Sequence, residues 1–276
     1  MSRPGEDGSP GGGRRVLITG AAGGIGVATM ARLRERGARV VGIDLEASED
    51  VIACDVREQS SVDAAVGEAV ERLGALDVLI NCAGIGEPQS AAQPPDEDAL
   101  RVLDINLLGP WRVTAAALPA LLDSRGRVVN VSSGLAHMTI PLAPAYCMSK
   151  RGLISYSDSL RLELGDRVTV TTVYPGYIRT PIHEAAVAKG IGLEGLVPAE
   201  SVDDAARTLV RASLDRPARD LATTRSGGLG FGAMRLMPRR LLDRLVRSRI
   251  DAALRKGVWG DSELAAGLSS EEKRSR

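Results

Sequence analysis

Arg15-Val16-Leu17-Ile18-Thr19-Gly20-Ala21-Ala22-Gly23-Gly24-Ile25-Gly26 passes from an apolar run through a cluster of glycines into a segment of helical period. A short apolar run bounded by glycine reads as a buried strand, and the residues from about Gly24 read as a helix. At the join of such a strand and helix, backbone N–H groups and the positive end of the helix dipole converge, and together they can hold a pyrophosphate. Glycine is needed there because a Cβ would block close approach. The spacing departs from G-x-G-x-x-G, so a plain Gly-rich turn remains the other reading.

Outward from this stretch, short apolar runs and helix-period segments keep alternating. RVLI, RVVGI, VIACDV, DVLINCAG, RVVNVSS and VTVTTVYP are six strand candidates. Helices are expected from about Gly24, through about Leu73, over about Glu97 to Leu122 and over about Pro144 to Leu164. Strand and helix taking turns predicts an α/β fold: a single-domain, Rossmann-like, doubly wound parallel sheet with helices on both faces. Beyond Pro175 the pattern is less regular, with a lid over about 180–197, a helix near Ser201 to Leu214 and a Gly-rich stretch at Gly227 to Gly232. Residues 1–13 read as a flexible tail rich in Gly and Pro. Residues 14–232 then form the catalytic domain including the lid, and residues 233–276 a basic amphipathic C-terminal extension.

Composition narrows the function classes. Lys plus Arg (35) balance Asp plus Glu (35), so no overall field steers the chain toward nucleic acid. Aromatic residues are only 3%, which leaves the core to aliphatic side chains. Cys54, Cys82 and Cys147 lack metal-ligand spacing and read as reduced thiols. The N-terminus has no apolar h-region, and no apolar run approaches the roughly 20 residues that span a bilayer, so a soluble cytoplasmic protein is expected.

Two further features carry chemistry. Asp44 ends the second strand candidate, about 20 residues beyond the glycines, where a carboxylate can accept hydrogen bonds from adenosine ribose hydroxyls. Its charge repels a 2′-phosphate, and Leu45 follows it where a basic group would receive one. NAD(H) is therefore expected over NADP(H). Tyr146 and Lys150 stand four apart in a helical segment, so both project from one face. A phenol of ordinary pKa about 10 is a poor base at neutral pH, but a neighbouring ammonium favours the phenolate. Tyr-x-x-x-Lys also arises by chance on surface helices, so the pair alone leaves both readings open.

Taken in order, Thr19-Gly20-x-x-x-Gly24-Ile25-Gly26, Asn81-Cys82-Ala83-Gly84, Asn106, Ser133, Tyr146-x-x-x-Lys150 and Pro175-Gly176-x-x-x-Thr180 resemble the short-chain dehydrogenase/reductase family over about Arg15 to Pro181. Ser133 rather than Ser132 is chosen because it stands 13 residues before the tyrosine, the family's separation. The resemblance implies a nicotinamide-dependent enzyme that interconverts a secondary alcohol and a ketone by hydride transfer. It implies that Tyr146 is general acid in reduction and general base in oxidation. Lys150 would lower the tyrosine's pKa and bind the nicotinamide ribose, Ser133 would bond the substrate oxygen, and Asn106 would hold a water linking Lys150 to solvent. Thr19, Gly20, Gly24, Ile25 and Gly26 would shape the pyrophosphate turn, Asp55 and Val56 would meet the adenine ring, and Asn81, Ala83 and Gly84 would line the cofactor floor. Pro175, Gly176, Ile178 and Thr180 would border the nicotinamide, with Thr180 bonding its carboxamide. A homodimer or homotetramer is also implied, with the Asn106 and Tyr146 segments at its interface. Cys82, where the family most often has a second Asn, and Cys147 depart from the pattern and are expected not to touch the chemistry.

The substrate is expected to be hydrophobic: steroid-like, retinoid-like or acyl-like. Two rivals stand beside this reading, an NADPH-dependent 3-oxoacyl thioester reductase, against which Asp44 argues, and a catalytically idle nucleotide-binding sensor or scaffold. His137 reads as a structurally bonded or solvated loop histidine and His183 falls in the lid; they lack metal-site spacing, and no metal is assigned. Over 238–256 an apolar helical stripe backs a basic face. It fits either contact with an anionic membrane or a helix packed over the substrate mouth or a subunit interface.

Overall fold

A computed structural model describes residues 13–180, 182, 184–191, 199–256, 258–259 and 262–266. The expected tail, apart from Gly13, and His183 lie outside the described residues, as does the lid at 181 and 192–197.

The six expected strands are β1 (Arg15–Thr19), β2 (Arg39–Asp44), β3 (Val51–Ala53), β4 (Val78–Asn81), β5 (Arg127–Val131) and β6 (Thr169–Tyr174). β7 (Tyr177–Ile178) and β8 (Ala199–Glu200) pair only with each other, while β9 (Asp220–Ala222) joins the main sheet. That sheet is parallel throughout, in the order β3-β2-β1-β4-β5-β6-β9. β9 escaped the sequence pattern because three half-buried residues beginning with a charge give no period to read.

Helices cover both faces because side chains alternate along each buried strand. On one side Val16, Ile18, Val78 and Ile80 pack against Met30 and Leu33 of α1 (Gly24–Glu35). On the other, Leu17 and Leu79 meet Val62 and Val66 of α2 (Gln59–Leu73). Beyond α3 (Glu97–Leu103), that same face is completed by Val113, Ala117 and Leu121 of α4 (Gly109–Ser124) and by Leu160 of α5 (Pro144–Leu164). The continuous helical run Glu97–Ser124 is long and apolar enough, by length and composition, to cross a membrane, which the sequence reading did not expect. Its inward residues instead belong to the core beneath the sheet.

After α6 (Glu184–Ala188), α7 (Val202–Leu214) packs beside α1 and supplies Leu209 and Val210 to the first face. The Gly-rich stretch Gly227–Gly232 is not irregular: it lies within α8 (Arg225–Leu236), which runs through the 232/233 position assigned as a domain edge. Glycine disfavours a helix by about 1 kcal/mol per residue, and Thr224 opposes this by capping the Gly227 N–H at 3.0 Å. α9 (Arg239–Arg255) and α10 (Glu263–Ala266) follow.

Candidate active site

The strand order reverses between β1 and β4, so their C-terminal ends open side by side into a crevice, the place where doubly wound sheets bind ligands. Thr19 stitches the two together: its Oγ1 accepts from the Cys82 N–H at 3.0 Å and the Ala83 N–H at 2.9 Å. Its hydroxyl thus shapes the crevice floor. Gly20 turns the chain at φ +69°, and a Cβ there would stand 2.8 Å from the Ala83 main chain. A Cβ on Gly26 would overlap the Gly20 carbonyl oxygen. Both glycines are therefore dictated by backbone crowding.

The turn fits a dinucleotide pyrophosphate. α1 begins at Gly23 with no side-chain cap and no acidic residue in its first turn. Asp96, Ser201 and Thr224 cap α3, α7 and α8 with their own oxygens, whereas α2, α4, α5 and α9 are uncapped like α1, so what marks α1 is that its start opens on the crevice. The first N–H groups of α1 are thus left for an outside anion. A Cβ on Gly24 would find only Thr180 Cγ2 at 3.7 Å, so Thr180 closes the crevice opposite the turn. Asp44 reaches across from β2, its carboxylate accepting from the Ala22 N–H and the Leu45 N–H, each at 2.8 Å. Asp55 is held by Arg57 at 2.6 Å, and that hydrogen bond keeps its carboxyl below the usual range. Val56 packs beneath Gly109.

Below the crevice a buried polar chain fixes the sheet to its helices. Asn81 Nδ2 donates to Thr114 Oγ1 at 3.0 Å and Asn130 Oδ1 at 2.8 Å, and Asn130 Nδ2 donates to Ser157 Oγ at 2.9 Å. Asn81 therefore acts through the frame of β4, β5, α4 and α5. Gly84 is the close neighbour of the chemistry, since a Cβ there would lie 3.3 Å from Asn106 Oδ1 and 3.4 Å from Lys150 Nζ.

Asn106, fully buried, sits in a π-helical turn (Asp104–Leu108) between α3 and α4, a distortion that often marks a functional position. Its side chain clamps Ile85, accepting from the N–H at 2.8 Å and donating to the carbonyl at 2.9 Å, and reaches Ser149 Oγ at 3.3 Å. That clamp holds the loop leaving β4 against α5.

α5 starts with Pro144 in its first turn and presents Tyr146 and Lys150 one turn later. Lys150 Nζ lies 5.8 Å from the Tyr146 ring centroid and donates to the Val131 carbonyl at 3.1 Å. Ser132 Oγ bonds the Lys150 carbonyl at 2.9 Å, which pins α5 to the end of β5. Ser133 begins a short 3-10 turn, Gly134–Ala136, that the Pro175 carbonyl anchors through the Gly134 N–H at 2.9 Å. Its hydroxyl oxygen accepts from the Leu135 N–H at 3.2 Å, and it opposes the effect of burial on the Tyr146 phenol.

Burial acts on the phenol in the direction opposite to that expected of the ammonium. Burial pushes Tyr146 up to about 12, against the opposing hydrogen bond from Ser133. The same burial pushes Lys150 down to about 8. Burial shifts both groups toward their neutral forms because neither carries a bonded counter-charge in a poorly solvated pocket, although Lys150 keeps its proton at neutral pH. The two cysteines lie near these groups. Burial raises Cys82 to about 11 despite the nearby Lys150 charge, and Cys147 adds to the upward shift of Tyr146.

Beside Tyr146 opens a cleft walled by Leu135, Ile140, Leu142, Ile182 and Ile191. Its one charged wall residue, Glu87, is held by Arg101 at 2.9 Å and Lys189 at 3.8 Å. The surface offered to a ligand is therefore apolar. His137 does not line it; its ring packs 4.8 Å from Tyr174.

Gly176 and Ile178 reach the site through a residue that sequence reasoning missed. Glu200 of β8 accepts from the Gly176 N–H at 2.8 Å, from Thr223 and from Thr224 at 3.1 Å, tying the strand after Pro175 to the start of α8. A Cβ on Gly176 would stand 2.6 Å from that carboxylate. Nothing local in the sequence around Glu200 signals this, because its partners lie more than twenty positions away.

Comparison with known proteins agrees with this geometry. The family model described as short chain dehydrogenase matches residues 14–190. Oxidoreductase UcpA of Escherichia coli (strain K12) is 33% identical over 190 residues, covering 63% of this chain and 72% of that protein. A putative ketoacyl reductase of Streptomyces coelicolor is 36% identical over 186 residues, covering 60% and 71% respectively. Among solved structures, a short chain dehydrogenase from Burkholderia cenocepacia J2315 in complex with NADP superposes with a TM-score of 0.73 at 25% identity, covering 86% of this chain and 98% of that one.

Proposed function

The chain belongs to the short-chain dehydrogenase family and is an NAD(P)-dependent oxidoreductase acting on alcohol- or ketone-type substrates; from that premise we propose that it prefers NAD(H) and interconverts an apolar secondary alcohol with its ketone. One observation carries the reading: Tyr146 borders both the apolar cleft and the crevice where Lys150, Asn106 and Gly84 converge.

When bound, the nicotinamide supplies or accepts the hydride. The chain's own groups do the rest. The Tyr146 hydroxyl delivers a proton to the carbonyl oxygen during reduction and takes it back during oxidation. Ser133, at the turn that follows β5, holds the same oxygen in line. Lys150 at Val131 and Asn106 at Ile85 keep the proton donor's surroundings fixed, and the ammonium offsets negative charge that develops on the phenol. The α1 N-terminus and Asp44 hold the pyrophosphate and adenosine ribose. The groups bonded to the Asp44 carboxylate are backbone N–H groups, so a 2′-phosphate would meet an uncompensated negative charge. Asp55, Val56, Pro175, Ile178 and Thr180 complete the cofactor walls. A cytoplasmic location belongs to the same proposal, in keeping with three free cysteines.

The test is kinetic. With a panel of ketones graded from polar to strongly apolar, kcat/KM is expected to rise with apolar area and to be higher with NADH than with NADPH. Preference for NADPH on acyl thioesters would overturn the cofactor and substrate assignment. Intact dinucleotide binding with no turnover across the panel would make the chain a nucleotide sensor.

We also assign a homodimer or homotetramer built on α4 and α5. Leu108, Trp111 and Met148 are exposed there, and Trp111 is preorganised by stacking on Tyr156 at 5.2 Å. Sedimentation of the wild type is expected to show an assembly that Trp111→Glu dissociates; an unchanged assembly would place the interface elsewhere.

A further inference from the structure

We propose that α9 docks this enzyme on an anionic lipid surface, so that the bilayer lies beside the mouth of the apolar cleft. Three observations carry this. The first is charge. Elsewhere on the described surface many arginines are matched with carboxylates, as in Arg15–Asp77, Arg57–Asp55, Arg101–Glu87, Arg112–Asp104 and Arg207–Asp203, which suits a chain of zero net charge. On α9 and its C-cap the balance fails: six arginines and Lys256 stand against only Asp243 and Asp251. All seven cations are exposed.

The second is the apolar face. Leu241 and Leu245, one turn apart, are 46% and 48% exposed, and each directly follows or precedes an arginine: Arg240 before the first, Arg244 before the second. The preceding helix adds Leu229 and Leu236, exposed by 80% and 89%. Leucines bared between arginines suit the boundary between lipid headgroups and acyl chains, where the leucines enter the apolar layer and the guanidinium groups stay with phosphates. They serve no purpose on a nucleic-acid backbone.

The third is position. The far end of α9, at Ile250 and Leu254, packs with Leu142, Ala186 and Ile191, and those three residues line the substrate cleft. A membrane under α9 therefore stands next to the entrance used by an apolar ligand. A second copy is the poorer occupant, because a symmetric contact through α9 would set two sets of seven cations against each other. An anionic surface neutralises them.

The experiment uses the full chain and sedimentable vesicles, either pure phosphatidylcholine or phosphatidylcholine with about 30% phosphatidylglycerol. Binding is expected only to the anionic vesicles and should fall as salt rises. Each basic residue near such a surface contributes about a fivefold change in partitioning, so Arg240→Glu with Arg244→Glu should weaken binding by more than about tenfold. Leu241→Ser with Leu245→Ser should weaken it comparably, through the lost apolar burial. Neither pair lies in the catalytic machinery, and turnover of a water-soluble ketone is expected to stay at the wild-type level. Absence of binding to anionic vesicles, equal binding to neutral ones, or variants that bind like wild type would each overturn the proposal. So would dissociation of an oligomer by the leucine pair without vesicle binding, which would mark the face as a subunit contact. None of these outcomes bears on the reading of Tyr146 and Lys150.

Discussion

Tyr146→Phe is expected to lower kcat by on the order of 10³-fold while dinucleotide affinity, read by calorimetry, stays at the wild-type value. The ring itself is structural: it packs with Ile85, Leu103, Ala99, Val102 and Ala145, and Phe keeps every one of those contacts. Only the hydroxyl is lost. No neighbour replaces it as proton donor, because Ser133 lacks an acidic enough hydroxyl and Lys150 Nζ is turned to the Val131 carbonyl. The pairing of lost turnover with retained cofactor binding is what separates a proton donor from a wall of the pocket. A kcat equal to wild type would remove Tyr146 from the chemistry, and a parallel loss of dinucleotide affinity would reassign it to cofactor binding.

The sequence exposes those parts of the site that rest on local geometry. Gly20 and Gly26 are visible because backbone crowding at a strand–helix turn admits no Cβ, and Tyr146 and Lys150 because four positions on a helix share a face. The order of six strands is visible because burial on both faces leaves continuous apolar runs. Features closed over long separations are not visible. Glu200 gathers Gly176, Thr223 and Thr224, and Asn130 joins Asn81 to Ser157, yet Glu200 and Asn130 look like ordinary polar residues in their own segments. The cleft walls are likewise drawn from separate stretches: Gly86–Pro88, Leu135, Ile140–Ala143 with Tyr146, and Ile182, Ala186 and Ile191. The direction of the Tyr146 shift was also out of reach, because it depends on how deeply the phenol is buried against how near the ammonium stands. Spacing reveals the second and hides the first.

Lys150→Met is expected to reduce kcat by on the order of 10²-fold and, at neutral pH, to raise the melting temperature of the free protein by several degrees. The two effects have one cause. Burial holds Lys150 at about 8, below the 10.5 of a solvated lysine, so the folded protein binds this proton less tightly than the unfolded chain does. Below about pH 8 the ammonium is present in both states and its burial costs the folded one, by a quantity on the order of 3 kcal/mol. Between about 8 and 10.5 the folded state has released the proton while the unfolded state keeps it, so stability rises with pH across that window. Methionine fills the same space without charge, so the variant should be the more stable at pH 7 and should converge with wild type as pH approaches 10.5. Catalysis runs the other way. The ammonium that offsets charge on Tyr146 is available below about pH 8 and lost above it, so wild-type kcat/KM for reduction should be level in the neutral range and fall on an alkaline limb near 8. In Lys150→Arg the cation persists, and the limb should move to higher pH even though the geometry lowers the rate. Thermal melts and pH–rate profiles of the three proteins decide the matter: a methionine variant less stable than wild type at pH 7, or an alkaline limb that stays at the same pH in the arginine variant, would show that the buried ammonium is not the group that couples stability to turnover.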